Sequence, residues 1–148
     1  MPEGLTAIKI TVNAKWIENK HYSVSADGKP EIDVATPSRF GGRDDLWSPL
    51  DLLLASLNSC LLSTFVAMAE RMNARFSCYE SKAIGELERV EGALRFTRML
   101  IQPIITVNSD SDVEPVRRAI EAAGRYCPVA RSLNAEVKVE PEIKVLGS

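Results

Sequence analysis

Residues 47–74 read WSPLDLLLASLNSCLLSTFVAMAERMNA, and their spacing predicts one long helix. Its start is well marked. Ser48 suits the N-cap, Pro49 the first helical position, and Asp51 follows Ser48 by three residues. Ser48 and Asp51 thus form a capping-box-like pair, with aspartate in place of the usual glutamate. From Leu50 to Met68 the residues are mostly Leu, Ala, Ser, Phe, Val and Met. Apolar side chains fall on every face, so the helix is expected to be buried all round. Charge returns only at Glu70 and Arg71.

Cys60 lies mid-helix. Ser56 precedes it by four residues, and Ser63 and Ala67 follow by three and seven. At helical spacing these share one face of small side chains, which another helix or backbone can approach closely. A thiol in such a place commonly acts as a small hydrophobe. Its weight changes with the rest of the chain.

The N-terminal third reads as an antiparallel meander. Residues 5–17 alternate around Ile8, Ile10 and Val12, as a strand with one buried face does. Glu18-Asn19-Lys20 turns the chain into a strand starting Tyr22-Ser23-Val24. Gly28-Lys29-Pro30 turns it again into Glu31–Ala35. Residues 37–47, PSRFGGRDDLW, form a loop in which Gly41-Gly42 permits unusual backbone angles. Arg39 and Arg43 flank the glycines. This is either a solvated surface loop or one that lies over the helix start and delivers an arginine to a site.

Beyond the long helix, Phe76–Val90 and Leu94–Val107 read as a hairpin turning at Glu91-Gly92, with Pro103 marking an edge or a bulge. Cys78, in the first of these strands, reads as structural. Ser109–Tyr126 is a second helix, with Ser111 as a cap and a stripe of Val113, Val116, Ile120 and Ala123. Gly124 is expected to weaken or end it. In CPVARSLN, residues 127–134, Pro128 fits the first turn of a short helix and leaves Cys127 at its cap. Glu136–Val145 alternates as a final strand. The order of elements is α+β within a single domain over 1–148, not alternating βαβ.

Composition excludes several function classes. With 148 residues, 45% hydrophobic and 26% charged, the chain is expected to be a soluble globular protein. A net charge of −2 gives no electrostatic reason to bind nucleic acid. The opening MPEGLTAIKI lacks a basic region followed by an apolar core, so no signal peptide is expected and a cytoplasmic location is. Asp51, Asn58 and several serines make the long helix a poor membrane span. Three cysteines without metal-ligand spacing and a lone His21 argue against both a disulfide scaffold and a metal site.

Cys127 carries the second chemical signal. A thiol at a helix N-terminus faces unpaired backbone N–H groups and the positive end of the dipole, so its pKa is expected to fall, with Arg131 adding to this. The plain alternative is a cysteine that merely caps a helix. Two thiols in such settings fit a redox cycle: one becomes a sulfenic acid, and the other condenses with it to a disulfide. The sulfurs must then meet in the fold.

The segment SPLDLLLASLNSCLLSTF, with CPVARSLN downstream, resembles the osmotically inducible protein C family, which includes the organic hydroperoxide resistance proteins. The resemblance runs from about Gly41 onward. It implies an α+β fold built as an intertwined homodimer, with long central helices wrapped by antiparallel sheets and a site at the interface. It also implies Cys60 as the peroxidatic and Cys127 as the resolving cysteine of a peroxidase acting on organic hydroperoxides. No bound cofactor is implied; the resemblance implies an external dithiol of lipoyl type as the reductant. The hydroperoxide resistance branch has a glutamate directly after the helix-starting proline. Here that position is Leu50, and the acid comes one residue later as Asp51, about 100° round the helix. The family's activating arginine matches no single position; Arg39 and Arg43 are candidates by loop position. The competing expectations are a non-catalytic binder of a small apolar ligand or a redox sensor on the same scaffold, and an interaction module that uses the helix only to dimerise.

Overall fold

The computed structural model describes residues 7–147. The chain divides into two compact units, one up to Leu52 and one from Leu53 onward.

The first unit holds an antiparallel sheet of β1 (Asn13–Glu18), β2 (His21–Ser25) and β3 (Ile32–Ala35), in chain order. The first turn places Asn19 at φ +48° and the second places Gly28 at φ +76°. Asparagine and glycine are the residues that enter this left-handed region most easily. The first strand is shorter than the alternation suggests. Residues 7–12 form no strand, and Ile8, Ile10 and Val12 are 61%, 86% and 63% exposed; residues 5 and 6 lie outside the described part. Nor does β1 bury a face, since all six of its residues are exposed. Alternation specifies which face is apolar but supplies nothing to cover it.

The loop that follows is tied down locally. A 3-10 turn over Ser38–Phe40 ends at Gly41, with φ +88°. Asp44 accepts hydrogen bonds from the Ser38 backbone N–H at 2.9 Å and from its hydroxyl. These bonds hold the Asp44 carboxyl below its ordinary pKa. Trp47 bridges in parallel to Val34, and Ala35 N–H donates to the Trp47 carbonyl at 2.9 Å.

α1 (Pro49–Arg71) begins as the sequence indicates. Asp51 N–H donates to Ser48 Oγ at 3.1 Å, and Ser48 N–H donates to Asp51 Oδ2 at 2.9 Å. Two orphan donors are thus satisfied reciprocally. The far end closes on Asn73 at φ +53°. Asn73 N–H reaches the Glu70 carbonyl at 3.4 Å, and Ala74 N–H reaches that of Ala69 at 2.9 Å. That bond pair is a Schellman motif with asparagine in the glycine position.

The second unit continues with β4 (Cys78–Val90) and β5 (Ala93–Val107), then a 3-10 turn over Asp110–Asp112. α2 (Val113–Tyr126), α3 (Pro128–Arg131), β6 (Glu136–Val139) and β7 (Glu142–Val145) follow. The β4–β5 turn is two residues long, with Glu91 at φ +50° and Gly92 at φ +83°, as a type I′ hairpin requires. β5 is central. It pairs antiparallel with β4 on one flank and parallel with β6 and β7 on the other. The sheet is therefore mixed, and one β–α–β crossover through α2 and α3 sits inside the α+β fold.

Pro103 marks neither an edge nor a bulge. The bulge lies at Glu86/Leu87. On β5 the carbonyl of Ile101 accepts from Glu140 N–H and that of Val107 from Leu146 N–H, so odd-numbered residues turn their backbone toward β6 and β7. Pro103 meets that flank at the break between Val139 and Glu142, where a missing N–H costs no ladder bond. The predicted last strand is split at the same break, by Glu140-Pro141.

One face of α1 packs on this sheet. Leu57, Leu61, Phe65 and Ala69 are the buried stripe, in a core with Met99, Ile101, Ile105, Val116 and Ile120. Phe65 packs against the rings of Phe76 and Tyr79, with centroids 4.9 and 5.3 Å apart. Burial all round is not met in the single chain: a sheet covers one side of a helix, and Val66 remains 37% exposed. By length and composition α1 would pass as a membrane span, yet its stripe belongs to this core. α2 starts four residues into the predicted range, after the 3-10 turn. Ser111 does not cap it; its hydroxyl bonds that of Ser109 at 2.9 Å. Gly124 does not end the helix, which runs on to Tyr126. The glycine lies beside Val139, and a Cβ there would stand 3.7 Å from that side chain.

Candidate functional site

Cys60 sits on α1 beside the buried stripe and is half-buried. The small face of Ser56, Ser63 and Ala67 is exposed in the single chain. The thiol therefore stands where the packed side of the helix gives way to the open one.

Cys127 is fully buried, at the junction of two helices. Its N–H donates to the Ala123 carbonyl at 2.9 Å, closing α2, and its own carbonyl accepts from Arg131 N–H at 3.1 Å, opening α3. Between them the residue is extended, at φ −61° and ψ 113°, with Pro128 at the first position of α3. A residue preceding proline is biased to such angles.

The fold brings these two thiols together. Both are free, Cys60 packs against the core that holds Cys127, and the two lie close enough for Cys60 to influence the Cys127 thiol. The electrostatics of Cys127 run opposite to the sequence expectation. Burial is the largest influence and pushes the thiol above its ordinary pKa, and Cys60 pushes it further. The N–H groups of Ala130 and Val129 at the start of α3 pull it down but do not win. Desolvation of a thiolate in an apolar core outweighs the end of a four-residue helix. Arg131 is exposed and is not among the groups that shift it.

The supporting candidates lie in the first unit. Asp51 is exposed, and its carboxylate is engaged by the backbone at Ser48. Arg43 is exposed and forks onto Asp45 at 2.6 and 2.5 Å, which raises the arginine's pKa and lowers that of Asp45. Arg39 is exposed in the 3-10 turn. Cys78 is exposed at the start of β4. Among the described residues, no group of three His, Cys, Asp or Glu side chains is placed to hold a metal ion.

Sequence reasoning missed a part-buried polar pair between α1 and β4. Asn58, on α1, and Ser81, on β4, form a latch: Ser81 Oγ donates to Asn58 Oδ1 at 2.6 Å, and Asn58 Nδ2 donates to the Ser81 carbonyl at 3.4 Å. Two residues earlier on β4, Tyr79 turns to the same face. Its hydroxyl is buried without a hydrogen-bond partner. Burial pushes its pKa up to about 12, against a lowering by the nearby Ser81 hydroxyl, and the Cys127 charge raises it further. Two polar residues on the inward-facing register of β4, and an asparagine within an apolar helix, were the available signal.

Residues 42–142 match the family described as OsmC-like protein. The chain belongs to that family. No curated protein matches it. Among solved structures, an OsmC-like protein of unknown function from Vibrio cholerae is 17% identical, with a TM-score of 0.80 over 91% of this chain and 99% of that one. An organic hydroperoxide resistance protein from Legionella pneumophila is 20% identical, with a TM-score of 0.72 over 94% and 100%. One from Bacillus subtilis is 19% identical, with a TM-score of 0.64 over 91% and 98%. At these identities the likeness establishes the α+β OsmC-like fold.

Proposed function

We propose that this OsmC-like protein is a thiol-dependent peroxidase that reduces organic hydroperoxides. One observation carries the reading: the free thiols of Cys60 and Cys127 share one apolar core, near enough to influence each other, one half-buried and one fully buried. Two of the solved structures that share the fold are named organic hydroperoxide resistance proteins, which supports it.

Cys60, as thiolate, attacks the terminal oxygen of ROOH. The O–O bond breaks, ROH leaves after protonation, and Cys60 becomes a sulfenic acid. Cys127 then attacks that sulfur. An S–S bond forms, the S–O bond breaks, and the thiol proton leaves with hydroxide as water. An external dithiol, of lipoyl type by family resemblance, reduces the disulfide. The apolar core against which Cys60 packs, with Leu57 and Leu61 in it, favours alkyl over hydrogen peroxide. The working form is a cytoplasmic homodimer in this reading, because the apolar faces of α1 left open by one chain need a partner.

The test is peroxide consumption with excess dithiol, comparing cumene hydroperoxide with hydrogen peroxide. Wild type is expected to prefer the organic peroxide. Cys60→Ser is expected to be inactive, and Cys127→Ser to leave Cys60 as a sulfenic acid that dimedone traps. No turnover of either peroxide above the dithiol background sinks the reading for these substrates. Leu50, where the hydroperoxide resistance branch has glutamate, favours one alternative: a binder of small apolar ligands on the same scaffold.

A further inference from the structure

Two short stretches of the second unit carry the same pattern. At the end of α1 it is Met68, Arg71 and Met72; at the end of α2 it is Ala122, Arg125 and Tyr126. Residues three and four apart share a helix face, so each stretch sets one arginine between two apolar side chains. Met72 follows the last residue of α1 but keeps the helical register, since its N–H donates to the Met68 carbonyl at 2.9 Å. The two faces meet, and these six residues line one cavity of about 470 Å³. That volume lies in the range of small-molecule sites. Ala122 is buried and Met68 half-buried, and the other four reach solvent.

The cavity is cationic. Among the described residues no acid lines it, and neither Arg71 nor Arg125 has an ion-pair partner, whereas Arg43, Arg98 and Arg117 do. The Arg125 guanidinium stands over the Tyr126 ring, 5.9 Å from its centroid. Each arginine lies in the last turn of its helix, where the macrodipole favours a cation. That accounts for each alone but not for two on one apolar cavity. A helix end carries about half a negative charge against the full charge of a guanidinium, so the cavity stays positive. Nor does the cavity belong to the uncovered face of α1. Met68 is two residues from Val66, about 200° round the helix, and packs against the core. Cys60 is eight residues back, about 12 Å along the axis.

We propose that this cavity binds an aliphatic carboxylate, with Arg71 and Arg125 on the carboxylate and Met68, Met72 and the Tyr126 ring along the chain. A guanidinium matches a carboxylate in a fork of two N–H donors. Methionine side chains are flexible and polarisable, and mould to an unbranched alkyl chain. The site is separate from the thiols and does not rest on the peroxidase reading.

The test is NMR of the full chain labelled with 13Cε-methionine and titrated with octanoate below its micelle-forming concentration. Met99, buried in the sheet core, is the internal reference. Octanoate is expected to shift the Met68 and Met72 methyl signals saturably and to leave that of Met99 in place. Acetate has the charge without the chain, and 1-octanol the chain without the charge. Each is expected to bind about tenfold more weakly or worse. Arg71→Gln and Arg125→Gln are each expected to weaken octanoate about tenfold. Arg95→Gln, exposed on β5, is expected to leave the affinity unchanged. No saturable shift at Met68 or Met72, or an equal shift at Met99, overturns the proposal. So does 1-octanol or acetate binding as tightly as octanoate, or both cavity arginine variants binding it as tightly as wild type.

Discussion

Burial of Cys127 has a consequence for stability that the helix-end argument would have reversed. The folded thiol pKa lies above the unfolded one, with burial as the main cause. The fold therefore favours the neutral thiol, and the native state holds more protons than the unfolded state between the two values. This contribution is fully present below the unfolded thiol pKa of about 8.5 and is lost as pH rises through the folded one. Tyr79 has the same sign. Its contribution is intact below its unfolded pKa of about 10 and fades as pH approaches its folded value of about 12. The melting temperature of the reduced protein is thus expected to fall from about pH 8.5 upward, and again above about pH 10. Cys127→Ala should flatten the lower limb and Tyr79→Phe the upper. Scanning calorimetry across that range checks both, and a parallel fall in all three proteins would show that these groups do not drive it. The position of Cys127 at the start of a short helix was legible because Cys-Pro is a local signal. Its pKa was not, because desolvation depends on what α1 and β4 bring to the sulfur.

At the scale of elements, locally encoded features were readable and pairing was not. The reciprocal bonds of Ser48 and Asp51 span three residues, and the sequence carries them whole. Ser48→Ala removes the acceptor for Asp51 N–H and is expected to cost about 1 kcal/mol of stability, read as a lower urea midpoint at unchanged slope. The bulge at Glu86/Leu87 and the parallel flank of β5 were invisible, because VKVEPEIKV alternates in the same way whichever partner it meets. Gly85 shows the same limit. In sequence it is a glycine in a strand; in the fold it leaves room for the Phe96 ring and for Leu54 of α1. A Cβ there would stand 2.7 and 2.9 Å from the Phe96 ring and 3.1 Å from Leu54 Cδ2. Gly85→Ala is expected to destabilise by about 1–3 kcal/mol through overpacking, measurable in the same urea series. The core stripe makes the opposite test, since Phe65→Ala leaves a cavity under Tyr79 and is expected to cost about 3–5 kcal/mol.

The molecule as a whole exposes apolar side chains that a 16.3 kDa monomer would leave in water. In the first unit these are Ile8, Ile10, Val12 and Trp16, between 61% and 86% exposed; in the second they include Val66 on α1 and Met72 just past its end. A single exposed leucine or valine needs no explanation, but a series of them from Ile8 to Trp16, and others along the open side of a helix, do. The sequence predicted a helix apolar on every face, and one chain covers only one stripe of it. That mismatch is the physical argument for self-association, independent of family resemblance. Sedimentation velocity is expected to give twice the monomer mass at micromolar concentration. Val66→Glu places a charge on the uncovered face of α1 without touching Leu57, Leu61, Phe65 or Ala69. It is expected to shift the population toward monomer while circular dichroism at low temperature retains the helical signal. Wild type that sediments as a monomer would mean that α1 tolerates its open face, and the apolar pattern would then need another occupant. If the dimer forms and Val66→Glu leaves it intact, association runs through the apolar residues of the first unit, and Trp16→Glu becomes the variant that should break it.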